Sequence, residues 1–91
     1  MGGVLRRGAE ICNSKGLHAR AAAKFCKTAE QFESEVMVRR GDIEVSGRSI
    51  MGLMMLAAAQ GTTIELTVSG EDSPAAMDAL CNLVANKFDE E

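Results

Sequence analysis

The chain has no tryptophan, no tyrosine and only three phenylalanines. A nucleic-acid-binding domain is usually net basic and often stacks bases on aromatic rings, whereas this chain carries a net charge of −3. No nucleic-acid partner is expected. The chain has one histidine, and three cysteines, Cys12, Cys26 and Cys81, that are widely spaced and form no Cys-x-x-Cys pair. That count argues against a zinc centre or a disulfide framework, so reduced, buried thiols and no metal are expected. No run of about 18 apolar residues is present to span a membrane. The opening Met1-Gly2-Gly3-Val4-Leu5-Arg6-Arg7 lacks the apolar segment of a signal peptide. A cytoplasmic location without membrane insertion follows as the expectation, and no repeat, linker or low-complexity tract interrupts the chain.

Ninety-one residues suit a single domain, 1–91, that buries roughly 60–65% of its unfolded surface. Charge is unevenly divided. Residues 1–48 hold nine basic and six acidic side chains, or +3, while 49–91 hold one and seven, or −6. A basic half within an acidic chain suits docking against an acidic protein surface.

In order, Leu5 to Cys12 reads as a strand with Ala9 and Ile11 on one face, and Gly8 weakens it or marks a bulge. A helix from about Ala19 to Phe32 places Ala22, Phe25, Cys26, Ala29 and Phe32 on one stripe and Arg20, Lys24 and Lys27 on the other. Glu35–Arg39 and Ile43–Ser46 alternate as the arms of a hairpin around Arg40-Gly41-Asp42. Ser49 is the natural N-cap of a short helix reaching about Ala58. Thr63–Val68 is the cleanest strand, with Ile64, Leu66 and Val68 inward. Ser73 as N-cap and Pro74 at the first helical position open a last helix with Met77, Leu80, Cys81, Val84 and Phe88 in line. The order is β-α-β-β-α-β-α. Strands with one apolar face need helices over one side of the sheet, which gives an open-faced α+β sandwich.

The only histidine stands where a loop becomes a helix. Asn13-Ser14-Lys15-Gly16 is turn-like and Ala19-Arg20-Ala21-Ala22-Ala23-Lys24 is strongly helical, so His18 falls at or beside the N-cap. Unpaired first-turn N–H groups and the positive end of the dipole make that position an anion site, and Arg20 can grip a phosphoryl or carboxylate group. A neutral imidazole there is a nucleophile.

Gly-Leu-His-Ala-Arg followed by alanines and Lys24-Phe25, with Ser49-Ile50-Met51-Gly52-Leu53-Met54 some thirty residues on, resembles the HPr family of histidine phosphocarriers of bacterial phosphotransferase systems. The resemblance covers essentially the whole chain. It implies a four-stranded antiparallel sheet with three helices on one face. His18 matches the phosphorylated histidine, Arg20 the phosphoryl-contacting arginine and Ser49 the regulatory serine. The implied chemistry takes a phosphoryl group from enzyme I onto Nδ1 of His18 and passes it to an enzyme IIA component. The implied function is that of a carrier rather than an enzyme, needing no cofactor, acting as a monomer, and serving sugar uptake or a nitrogen-type branch. HPr kinase/phosphorylase would act on Ser49 where an organism carries it. One departure stands out: many members have proline after the arginine, and this chain has Ala21.

The second helix is apolar all round, with Leu53, Leu56 and Ala57 on one arc and Ile50, Met51 and Met54 on the other. The resemblance makes Ile50, Met51 and Met54 a docking patch, rimmed by Lys24 and Lys27. Two other functions compete: a regulatory module holding a phosphate or carboxylate at His18 and Arg20 without covalent transfer, and a thiol redox protein. The latter is disfavoured because no cysteine has a resolving partner or a helix-start position.

Overall fold

The computed structural model describes residues 3–90; Met1 and Gly2, the start of the segment read for a targeting signal, lie outside the described residues. Strand β1 is Gly3–Glu10, helix α1 Ala19–Ala29, strands β2 and β3 Glu35–Arg40 and Ile43–Ser46, helix α2 Ile50–Met55, strand β4 Thr63–Gly70 and helix α3 Ser73–Ala85, with a 3-10 turn at Lys87–Asp89. The strands run in the order β1-β4-β2-β3, every pair antiparallel. This is the expected four-stranded open-faced sandwich. Alternation explains its one-sidedness. Val36, Val38, Ile64, Leu66 and Val68 are buried beneath the helices, while Glu35, Arg39, Thr63 and Glu65 stay exposed. Phe25, Leu53, Leu80 and Phe88 complete the core from the helical side.

Several boundaries differ from the sequence expectation for local physical reasons. Gly8 makes no bulge, because it pairs with Glu65 in an unbroken register. Strand β1 ends at Glu10, yet Ile11 still ladders, its N–H reaching the Thr62 carbonyl at 2.8 Å and its carbonyl receiving the Gly61 N–H at 2.7 Å. Helix α1 stops at Ala29, short of Phe32, since its last carbonyls turn to tighter bonds with Gln31 and Phe32 and the Arg48 guanidinium donates to Ala29, Phe32 and Ser34. Helix α2 ends at Met55, not Ala58. The Arg40 guanidinium takes the freed Leu56 carbonyl at 3.0 Å, and Ala57 swings to φ 49°. Ala57 is thus exposed rather than part of the buried arc.

The last helix begins one residue early. Asp72, not Ser73, is the N-cap; Ser73 is helical and buried, and the Ala76 N–H bonds the Asp72 carbonyl at 2.9 Å. The Asp72 carboxylate caps nothing in its own helix. It accepts the N–H groups of Glu33 at 2.8 Å and Ser34 at 3.0 Å and the Ser34 hydroxyl, tying the start of α3 to the approach to β2. Phe88 also leaves its expected place. Helix α3 stops at Ala85, and Lys87, Phe88 and Asp89 adopt φ of 58°, 55° and 61°, a left-handed turn that drives Phe88 fully into the core. Cys26 is buried as expected, but Cys12 and Cys81 are only half-buried.

The Ser34 hydroxyl, joined by the Glu33 and Ser34 N–H groups, holds the Asp72 carboxyl below its usual range against a smaller opposing effect of burial. A depressed folded-state value means that its stabilisation is present above the unfolded value of about 3.9 and disappears as pH falls through the folded one. Asp72→Asn should therefore lower the melting temperature at neutral pH and flatten its decline between about pH 5 and pH 2. Parallel melting curves for the two proteins across that range would show that the carboxylate contributes nothing.

Candidate functional site

The site is assembled at the amino end of α1. Gly16 turns the chain at φ 66°, and a Cβ there would lie 2.5 Å from the Ala58 carbonyl oxygen, so only glycine allows the loop to approach the end of α2 this closely. Leu17 then donates its N–H to that same carbonyl at 2.9 Å and buries its side chain. Asn13, fully buried, donates to the Gly16 carbonyl at 2.8 Å and closes the turn from the other side. His18 follows as the N-cap, its backbone extended at φ −81° and ψ −177°, its carbonyl receiving the Ala22 N–H at 2.8 Å. Its side chain makes no capping bond. The N–H groups of the first turn are therefore not capped by His18, and a helix start of this kind favours an anion.

The imidazole is about one-quarter exposed, and its Nε2 is hydrogen-bonded to Oε2 of Glu90. Nδ1 has no partner among the described residues. Oε1 of Glu90 accepts from Asn13 Nδ2 at 3.1 Å, so one amide braces both the turn before the histidine and the carboxylate beside it. Burial would raise the Glu90 carboxyl, but hydrogen bonds from His18 and Asn13 and the charges of His18 and Lys24 outweigh it and bring the carboxyl below its ordinary value. Lys24 donates to the Phe88 carbonyl at 2.8 Å, which pins the left-handed turn against α1.

A groove beside the histidine is lined by Ser14, Lys15, Arg20, Lys24, Asp89 and Glu90. Arg20 is exposed and forms no ion pair with the described residues, leaving its guanidinium available at the groove. Lys27 is exposed as well, whereas Lys24 is half-buried and committed to the Phe88 carbonyl. The basic stripe read from the sequence therefore has two free members rather than three. Ala21, in place of the common proline, is fully buried within the first turn of α1.

Ser49 caps α2, its hydroxyl accepting the Gly52 N–H at 2.9 Å. Leu53 and Leu56 are buried, while Ile50, Met51 and Met54 are 43%, 74% and 43% exposed. Met55, 68% exposed, extends this apolar patch. It stands four residues after Met51, a spacing that puts the two side by side on a helix. That signal was present in the sequence. No such signal marked Glu90, which lies 72 residues from His18, or the buried role of Asn13.

The thiols have a different character. Burial, then the charge of Glu30, pushes the Cys26 thiol up, away from the reactive thiolate. The Cys12 thiol is turned toward the Val84 carbonyl at 3.3 Å.

Comparison with known proteins agrees with this geometry. Residues 5–86 match the family model described as the PTS HPr component phosphorylation site. The phosphocarrier protein HPr of Neisseria meningitidis is 55% identical over 96% of this chain and 98% of its own length. The phosphocarrier protein NPr of Shewanella violacea is 46% identical over 94% of each. Among solved structures, HPr from Thermoanaerobacter tengcongensis superposes with a TM-score of 0.91 at 41% identity, covering 96% of this chain and 98% of that one. A partly exposed histidine at the start of α1, on an open-faced sandwich that these proteins share along nearly their whole length, places the chain in the HPr family of phosphocarrier proteins of the phosphotransferase system.

Proposed function

We propose that this chain, acting as one phosphocarrier domain and as a monomer in the cytoplasm, accepts a phosphoryl group on His18 from phospho-enzyme I and passes it to a histidine of an enzyme IIA component, in sugar uptake or nitrogen-type regulatory phosphotransfer. The observation that carries this reading is the imidazole itself. It is partly exposed at a helix N-terminus, with Nδ1 unpartnered among the described residues and an exposed Arg20 lining the groove that also holds its carboxylate partner Glu90. Nδ1 attacks phosphorus as the bond to the donor breaks. First-turn N–H groups and the Arg20 guanidinium offset the charge on the equatorial oxygens, so positioning and electrostatics supply the catalysis. The chemistry asks for no cofactor from this chain. Ala21 retains its backbone N–H, which a proline would lack, so the departure at this position is compatible with phosphoryl binding. The non-covalent alternative draws less support, because capture of an anion alone gives no role to Nδ1, which has no partner among the described residues.

Incubation with phosphoenolpyruvate, Mg²⁺ and enzyme I, read by intact mass, separates the two. The wild type should gain one phosphate that is lost in acid and kept in alkali, and His18→Ala should gain none while melting normally. Arg20→Ala should slow transfer by roughly ten- to a hundredfold, with lysine rescuing only in part because it lacks the planar fork. Phosphate on His18→Ala, or equal rates for all Arg20 variants, would remove these roles.

Ser49 we assign as a regulatory phosphorylation site for HPr kinase/phosphorylase where the organism carries that kinase. A phosphate would add about −1.5 to −2 charges at the start of α2, where the helix tolerates it but an acidic enzyme I does not. Ser49→Asp should fold normally and accept phosphate from enzyme I more slowly, most visibly at low salt. Transfer undiminished at low salt would leave Ser49 as a cap alone.

Ile50, Met51 and Met54, with Met55, form the centre of the docking surface, since unbranched methionines can repack against two successive partners. Arg20 and Lys27 supply the charged rim, with Lys24 behind them. Met51→Glu should leave the melting temperature nearly unchanged and weaken enzyme I binding by at least about tenfold, or 1.4 kcal/mol, whereas Leu53→Glu, at a fully buried position, should unfold the chain. Equal destabilisation by both substitutions would move the docking patch elsewhere.

A further inference from the structure

The carboxylate beside His18 is not an incidental surface contact. Glu90 is held at both oxygens, by His18 Nε2 and by the fully buried Asn13, and its side chain is only 13% exposed. The backbone that delivers it is built for the purpose. Three consecutive left-handed residues, Lys87, Phe88 and Asp89, reverse the chain after α3, the Phe88 ring anchors the reversal in the core, and Lys24 clamps its carbonyl. Three successive non-glycine residues at positive φ are strained, and strain of that kind persists only where surrounding contacts enforce it.

We propose that Glu90 is a positioning residue for phosphoryl transfer: its carboxylate accepts the Nε2–H of His18, leaves Nδ1 as the nucleophilic nitrogen, and neutralises the ring once Nδ1 is phosphorylated. This rests on the phosphocarrier reading above. The step balances without any further reactant. The Nδ1 lone pair forms the new P–N bond, the donor's P–N bond breaks and its electron pair returns to the donor imidazole, and the proton on Nε2 stays in place. The ring therefore becomes cationic while it carries the phosphoryl group, and Glu90 faces that charge from the side opposite the phosphorus. A carboxylate on the distal nitrogen also fixes the ring's tautomer and rotation, as carboxylate partners do for metal-bound histidines. The depressed Glu90 carboxyl keeps this acceptor ionised. Other charges facing the pair are Lys24 from α1, Lys15 and Arg20 across the groove, and Asp89 beside it.

The test compares wild type, Glu90→Gln and Glu90→Ala in transfer from phospho-enzyme I, with melting curves as a control for folding. Glu90→Ala should lower kcat by about tenfold, the lower range for carboxylate partners of metal-bound histidines, with KM for phospho-enzyme I little changed, and Glu90→Gln, which keeps an acceptor oxygen but no charge, should fall between. In ¹H–¹⁵N spectra the wild type should show an Nε2–H proton of His18 protected from water exchange, retained in Glu90→Gln and lost in Glu90→Ala. Absence of that proton in the wild type, or a folded Glu90→Ala that transfers as fast as or faster than wild type, overturns the proposal. A wild type that takes no phosphate overturns the phosphocarrier reading and this one with it, whereas normal phosphorylation of all three overturns this one alone.

Discussion

The backbone placement of the His18 loop depends on a hydrogen bond from the Leu17 N–H to the Ala58 carbonyl at 2.9 Å. A histidine at a loop-to-helix junction is only as well placed as the loop, and this bond joins the loop to the far end of α2. It requires two unusual conformations. Ala57 must turn left-handed so that Ala58 presents its carbonyl, and Gly16 must lack a Cβ so that the loop can come close enough to use it. The imidazole is thereby fixed from the backbone outward. The docking helix and the nucleophile loop form one mechanical unit, although α2 and α1 are separated by a hairpin in sequence.

Much of this was legible in the sequence because it is local or periodic. The period-2 alternation of Thr63–Val68 and Val36–Val38 fixes which strand face is buried, and the turn-then-alanine run puts His18 at a helix start. The Ser49 cap is equally local. Contact between distant segments leaves no such local mark. Local pattern favours Ser73 as the cap of α3, and nothing near Asp72 in the sequence shows that its carboxylate bonds Glu33 and Ser34 some 38 residues away. Phe88 continues the apolar stripe of α3 on a helical wheel, and it does reach the core, but through a backbone reversal that periodicity cannot express. That reversal is what brings Glu90 to His18. The resemblance named the histidine, the arginine and the serine, but it did not supply the side chains that hold the histidine in this chain.

Charge tells a related story. The basic half of the chain suggested a docking surface, yet several of its cations serve the fold. Arg48 closes the end of α1, Arg40 the end of α2, and Lys24 the turn after α3. Each neutralises carbonyls at a helix or turn terminus, where the backbone dipoles favour a cation. Arg20 and Lys27 remain exposed, so part of the basic charge is left at the surface of the helix that His18 opens.

All three of those cations bind main-chain oxygens rather than side chains. The residues contributing the carbonyls, among them Phe32, Ser34, Leu56 and Phe88, can change identity without breaking the bond, so long as the backbone path is kept. The donors have no such freedom. These bonds therefore constrain their two ends differently: the residue offering the carbonyl answers only to its other contacts, such as the Phe88 ring in the core, whereas the residue reaching it must be a long cationic side chain.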